Sequence, residues 1–81
     1  MMDWTLQEAT SDYERGLLSQ VRIIAIAPDT WAIRLIATNT KDGEGWLLHS
    51  RTRERREMKS LKAAAEAVTN IGFNINQLIV A

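Results

Sequence analysis

A run of basic residues in the middle of the chain has the side chains that bind phosphate. Between residues 50 and 62 there are six bases against two acids, although the formal net charge of the whole chain is zero. In an extended chain every second side chain points the same way, about 6.5–7 Å apart, so alternate arginines would present a row of guanidinium groups. Guanidinium groups fork onto phosphate oxygens. The sequence therefore predicts a nucleic-acid-binding set made of Arg51, Arg53, Arg55, Arg56 and Lys59.

The same run has a second interpretation, in which it is a solvated strand edge that prevents aggregation by repulsion. Glu54 and Glu57 interleave the bases and can neutralise them. Two hypotheses therefore stand: a nucleic-acid-binding protein, or a protein–protein interaction module such as a homodimeric adaptor or regulator. Residues 1–14 hold four acids and no base, so the acidic segment of one subunit can also meet the basic run of another.

Residue types that support catalysis or metal binding are sparse in this chain. There is no cysteine and one histidine, His49, which excludes a disulfide, a cysteine zinc site and a histidine cluster. The sequence contains no glycine-rich phosphate loop, nucleophile elbow or paired-carboxylate motif. Ser50 follows His49 directly and would point to the opposite face of a strand. We expect no catalytic residues, no metal and no cofactor.

The elements that position these residues follow from periodicity and turn chemistry. The sequence predicts an α+β domain over residues 1–81: an acidic N-terminal segment (1–16) with a short helix, a three-stranded antiparallel meander (17–52), a helix (60–72) and a last strand (73–81). Pro28 and Asp42-Gly43 mark the turns of the meander, and the third strand is predicted at 46–53. The helix is predicted at 61–71, with Ser60 as N-cap and Gly72 as C-cap.

Alternation along the strands predicts two faces of the sheet. The inner face takes Val21, Ile23, Ala25, Trp31, Ile33, Leu35, Trp46, Leu48 and Ser50. The far face, which is the predicted dimer or ligand surface, takes Arg22, Ile24, Ile26, Arg34, Ile36, Leu47 and His49, followed by Arg51. One helix cannot cover both faces, so the far face must meet the N-terminal segment, a second subunit or a ligand. Trp4 is the candidate for an exposed or interface tryptophan.

The small size of the chain favours a homodimer, because 81 residues without disulfides bury a marginal core. No apolar run of transmembrane length and no signal-peptide pattern occurs, so we expect a cytoplasmic protein without a membrane partner.

The C-terminal half resembles a known group of proteins. The residues that carry the resemblance are Met58, Lys59, Ser60, Leu61, Ala64, Ala65, Ile71, Gly72 and Phe73, together with GWLL at 45–48. In these residues the chain is similar to small partition-type accessory proteins encoded on plasmids. The resemblance implies bacterial mobile DNA as the setting, and it assigns no site residue.

Overall fold

The computed structural model describes residues 3–38, 43–74 and 78–80. Its elements are β1 (Trp4–Thr5), α1 (Leu6–Glu14), β2 (Leu18–Ala27), β3 (Thr30–Ala37), β4 (Glu44–Leu48), β5 (Glu57–Met58), α2 (Leu61–Ile71) and β6 (Leu78–Val80). The strands form one six-stranded sheet in the order β1-β4-β3-β2-β6, and β5 pairs with the beginning of β3. The fold is therefore mixed α and β, with one sheet and two helices.

The predicted antiparallel meander forms the centre of this sheet. Strand β3 runs antiparallel to both β2 and β4. A turn at Pro28 and Asp29 joins β2 to β3, and Asp29 has a left-handed φ of 56°, which aspartate tolerates better than most residues. The predicted turn at Asp42-Gly43 lies partly outside the described residues. The outer strands β1 and β6 are each parallel to their neighbours, β4 and β2.

The third and last predicted strands do not coincide with the strands of the structure over their whole lengths. The third strand was expected to run to residue 53, but β4 ends at Leu48 and the chain then turns. The predicted last strand at 73–81 includes β6, which pairs with β2 of the meander. Residues 75–77 and 81 of that prediction lie outside the described residues.

Both helices begin at a side-chain cap. The Ser60 hydroxyl accepts a hydrogen bond from the Ala63 amide, so α2 spans the predicted residues 61–71. Helix α1 begins at a capping box in which the Thr5 hydroxyl accepts from the Glu8 amide and the Glu8 carboxylate accepts from the Thr5 amide. Such reciprocal bonds satisfy two amides that a helix leaves unpaired at its start.

The two helices pack side by side on the same face of the sheet. The core cluster combines sheet residues such as Ile23, Ile33 and Leu47 with Ala9 of α1 and Val68 of α2. The N-terminal helix therefore does not cover the far face, which was one of the three predicted alternatives. No helix covers the far face anywhere in residues 3–38, 43–74 and 78–80.

Helix contact depends on a close approach at the end of α2. Gly72 has a φ of 126°, and a Cβ atom placed there would lie 2.8 Å from the ring carbon Cδ2 of Tyr13. The Tyr13 ring cannot move away freely, because its centroid lies 4.4 Å from that of Phe73. Glycine is thus required at this position for both backbone conformation and space.

We expect Gly72→Ala to lower the free energy of unfolding more than Gly16→Ala does. Gly16 also has a positive φ, 74°, but no atom lies within 4 Å of its added Cβ. Gly16→Ala should therefore lose only about 1–2 kcal/mol for the left-handed backbone. Gly72→Ala should lose about 1–3 kcal/mol more through overpacking against Tyr13. Urea unfolding of the three proteins measures this difference; equal losses would contradict the Tyr13 contact.

Candidate nucleic-acid interface

The predicted row of arginines is not an extended strand. After Leu48 the chain reverses: the His49 amide donates to the Glu54 carbonyl at 2.8 Å, and the Arg53 amide donates to the His49 carbonyl at 2.9 Å. Arg53 itself has a left-handed φ of 56°. Arg51, Arg53 and Arg55 therefore do not point one way at a regular spacing, and that part of the prediction was wrong. The reversal brings Arg55 back beside β4, where it forms an isolated bridge with Leu48.

Two of the five predicted bases are already paired with acids of the same chain. The Arg53 guanidinium lies 3.5 Å from the Glu8 carboxylate, and that of Arg55 lies 3.1 Å from the Glu57 carboxylate. Arg51, Arg56 and Lys59 form no ion pair with any other described residue. The acidic N-terminal segment thus meets the basic run within one subunit, through Glu8 and Arg53.

Most of the residues predicted on the far face of the sheet lie there in the structure, but Leu47 and His49 do not. Arg22 lies opposite Arg34, and Arg34 lies opposite Trp46, so these three residues share the far face. Leu47 was predicted on this face but is fully buried in the core. His49 was also predicted here, but it lies in the turn that follows β4. The third strand was therefore assigned to the wrong faces, because Trp46 points away from the core cluster and Leu47 points into it.

A stacked group of side chains is centred on Trp46. The guanidinium carbons of Arg34 and Arg55 each lie 4.9 Å from the centroid of the Trp46 ring. Such distances are those of cation–π contacts. Arg34 also pairs with Glu44 at 3.3 Å, so each of the two stacked guanidinium groups has a carboxylate beside it. We call the surface formed by Arg22, Arg34, Trp46 and Arg55 the arginine–tryptophan row.

Trp4 was predicted to be exposed or at an interface, but it is buried. Its side chain is 3% exposed, and its indole Nε1 donates to the Asp12 carboxylate at 2.9 Å. Strand β1 brings Trp4 beside Leu47 of β4, which places it in the core. The half-buried tryptophan on the open surface is instead Trp46, and its backbone amide donates to the Asp3 carboxylate at 2.9 Å.

Arg22 differs from the other arginines of the row in having no acidic partner among the described residues. It is exposed, and it lies directly opposite Arg34 on one side and opposite Ile79 on the other. Like charges directly opposite each other on neighbouring strands are destabilising. The Glu44 carboxylate offsets the charge of Arg34 only, so the Arg22 charge remains available for an anion.

Half-buried isoleucines border the row. Ile24 and Ile36 lie on the far face by their register opposite Ala32 and Gln20. Ile26 is half-buried as well and lies beside the strand irregularity near the end of β2. The far face therefore combines cations, one aromatic ring and branched apolar side chains, which a nucleic acid or a protein can both contact.

The turn after β4 borders an open surface pocket of about 460 Å³. It is lined by His49, Ser50, Arg51, Thr52, Glu54 and Arg56. His49 and Ser50 thus share one pocket, whereas the strand interpretation had placed them on opposite faces. Neither side chain forms a hydrogen bond with the other or with another described residue, so no base is aligned on the Ser50 hydroxyl.

The described residues contain no cluster of metal-ligating side chains and no helix that could span a membrane. No group of three or more histidine, cysteine, aspartate or glutamate side chains within residues 3–38, 43–74 and 78–80 is arranged to hold a metal ion. In the same part of the chain no helix has the length and apolar character needed to cross a membrane.

Comparison of the chain with protein-family profiles, with curated proteins and with solved structures finds no match. The similarity of residues 58–73 to plasmid partition-type proteins therefore stays a prediction.

The capping bond of Glu8, together with its ion pair to Arg53, should make stability depend on pH. The pKa of Glu8 is lowered, first because the Thr5 amide donates to its carboxylate, with smaller contributions from the Thr5 hydroxyl and the Arg53 charge. A folded pKa below the unfolded one adds stability above the ordinary glutamate pKa. That stability is lost as the pH falls through the lowered folded value.

We expect Glu8→Gln to reduce the free energy of unfolding at neutral pH by about 0.2–1 kcal/mol, the size of an exposed ion pair. Glutamine retains the capping bond to Thr5 but carries no charge. The difference from the unmodified protein should vanish as Glu8 becomes protonated, which urea unfolding across an acidic pH series would measure. Glu14→Gln on the same helix is the control. A Glu8→Gln loss that is constant across the pH series would rule out the charge as its cause.

Proposed function

We propose that this protein is a non-catalytic nucleic-acid-binding protein that uses the arginine–tryptophan row. The observation that carries the proposal is the register of three neighbouring strands, which aligns Arg22, Arg34 and Trp46 on the face that no described helix covers. Arginine and aromatic side chains are the residue types that contact phosphates and bases in nucleic-acid complexes. The proposal thus moves the centre of binding from the predicted basic run to the sheet.

Phosphate contacts are proposed first for Arg22, because its charge has no acidic partner among the described residues. Arg34 and Arg55 hold carboxylates, but both of these pairs are partly exposed, and exposed pairs contribute little and exchange readily. Arg51, Arg56 and Lys59 form no ion pair with described residues and are proposed as additional contacts. Arg53 pairs with Glu8 and lies in the turn, outside the arginine–tryptophan row.

The setting proposed for this binding is DNA of a bacterial mobile element. The similarity of residues 58–73 to partition-type proteins encoded on plasmids supports that setting, and it rests on sequence alone. The proposal of a non-catalytic role is supported by His49, whose side chain has no hydrogen-bond partner among the described residues.

The protein–protein interaction module is the second candidate, and a specific observation favours it. Ile24, Ile26 and Ile36 are half-buried on or beside the far face, and apolar side chains next to arginine and tryptophan also form the centres of protein interfaces. In this alternative a second copy of the chain covers the far face, and the turn at 49–54 is a solvated edge.

Binding by the row should depend steeply on salt. If about four phosphates are neutralised, the logarithm of affinity should fall with the logarithm of salt concentration at a slope near −3 to −4. Affinity should then decrease roughly 60- to 250-fold between about 50 and 200 mM salt. Arg22→Ser should reduce the steepness of this slope by about 1 and weaken all oligonucleotides alike. Fluorescence anisotropy with labelled oligonucleotides measures both quantities.

The matched control for this variant is Arg15→Ser, which removes the same charge from the end of α1. The Arg15 side chain is 69% exposed, and its guanidinium lies 4.0 Å from the Asp12 carboxylate. Its replacement should change affinity and salt slope little. Equal effects of the two variants would mean that net charge alone attracts the nucleic acid, and no binding to any oligonucleotide would reject the proposed function.

The second candidate is tested by the oligomeric state. On the proposed function we expect the same mass at micromolar concentration for the unmodified protein and for Ile36→Glu in sedimentation equilibrium. If a second copy covers the far face, Ile36→Glu should dissociate the dimer, since it buries a charge in an apolar contact. Leu61→Glu is the control, because Leu61 is 40% exposed on α2, away from the far face. A dimer lost only in Ile36→Glu would favour the interaction module.

A further inference from the structure

We propose that the far face binds single-stranded rather than double-stranded nucleic acid, with one base stacked on the group formed by Trp46, Arg34 and Arg55. This inference rests on the proposed function and names its substrate class. The geometry that supports it is the position of an aromatic ring at the end of a row of cations on an open sheet face. Neither the basic run nor the net charge of the chain would distinguish one nucleic-acid strand from two.

Trp46 contributes less to the core than its neighbour does, and its position suits stacking with a base. Leu47, its neighbour in β4, supplies the core contact, whereas Trp46 is half-buried and lies outside the core cluster. The part of Trp46 that neither the sheet nor the two guanidinium groups cover lies on the open face of the sheet. Two guanidinium groups lie against the ring and restrict its rotation, while the Asp3 carboxylate accepts a hydrogen bond from the Trp46 backbone amide.

The stacked guanidinium groups extend the surface on which a base can lie. Unpaired bases in protein complexes stack on aromatic rings and equally on the planes of arginine side chains. Arg34 and Arg55 pair with Glu44 and Glu57, and both guanidinium groups already lie against the Trp46 ring. A base that stacks on this group therefore meets side chains that are partly ordered beforehand, and preorganisation of this kind strengthens binding.

Whether the row binds one nucleic-acid strand or a duplex depends on which part of the nucleic acid its side chains can contact. In a duplex the faces of the bases are stacked on one another, so a protein meets only phosphates and the base edges in the grooves. A tryptophan ring stacks on the flat face of a base, and a single strand exposes that face without the loss of base pairs. From Arg22 to Trp46 the row crosses two interstrand steps, about 10 Å. That length is on the order of three nucleotide rises of a stacked strand.

Charge on the row favours an anionic strand over a protein as the occupant. Arg22 lies opposite Arg34 without a carboxylate of its own among the described residues, and a phosphate between the two guanidinium groups would relieve their repulsion. A second copy of the chain would bring another Arg22–Arg34 pair to the same surface. The isoleucines beside the row fit the sugar and base surfaces of a single strand as well as they fit a protein.

The test uses the full chain and three labelled probes of equal length: a DNA strand, an RNA strand and a DNA hairpin duplex. Trp46→Leu keeps an apolar side chain but removes the ring. We expect it to weaken binding of the single strands by about 5- to 150-fold, the range of one lost base stack. The salt slope should stay unchanged, because no phosphate contact is removed. Trp46→Phe should lose less, because a ring remains.

A second measurement does not depend on the stability of the leucine variant. Stacking quenches tryptophan emission, so titration with an unlabelled single strand should quench the unmodified protein. Trp31→Phe is the matched control, since Trp31 packs beside the core on the other face. Quenching should persist in Trp31→Phe and disappear in Trp46→Phe.

The outcomes separate this inference from the proposed function. No binding of any probe rejects the proposed function and the inference with it. Binding of the duplex as tightly as the single strands, or unchanged single-strand affinity in Trp46→Leu, overturns the inference and leaves the proposed function standing. Concentration-dependent dimerisation that competes with the oligonucleotides would instead assign the far face to a second copy and overturn the inference.

Discussion

The packing of both helices on one face of the sheet determines everything else in this structure. Side chains alternate across a strand, so a sheet with helices on one side must expose the other side. Gly72 permits this packing, because its missing side chain lets the end of α2 approach the Tyr13 ring of α1. With both helices packed on the core, the far face is a large surface of the described residues that neither helix covers.

A net charge of zero does not describe the surface of this chain. Three acids form ion pairs with particular bases: Glu8 with Arg53, Glu44 with Arg34 and Glu57 with Arg55. Two of these pairs lie beside the tryptophan ring on which their guanidinium groups stack. Electrostatic interactions beyond about 10 Å are screened at ordinary salt. The attraction of a polyanion to this chain would therefore depend on the local arrangement of charges more than on the net charge.

The sequence predicted the elements whose signals are local and redundant. Helix α2 has period, N-cap and C-cap in agreement, and the alternation in β2 and β3 placed Ile23 and Ile33 in the core. The face of β4 could not be predicted, since Trp46, Leu47 and Leu48 are all apolar and a one-residue shift gives the same pattern. The burial of Trp4 depends on pairing with a strand some forty residues away. The turn at 49–54 carries no glycine or proline signal.

Misassignment of β4 also explains why the sequence located the candidate site only in part. Arg22 and Arg34 were placed on the correct face, but the aromatic ring that gives them a chemical context was assigned to the core. A cationic surface alone attracts any polyanion, and its affinity is lost as salt rises. A ring fixed among cations adds an attraction that counterions do not compete for, and it acts only on a base whose face is free. On the proposed function, the register of a single strand pair, Arg34 opposite Trp46, adds this ring to the cationic surface.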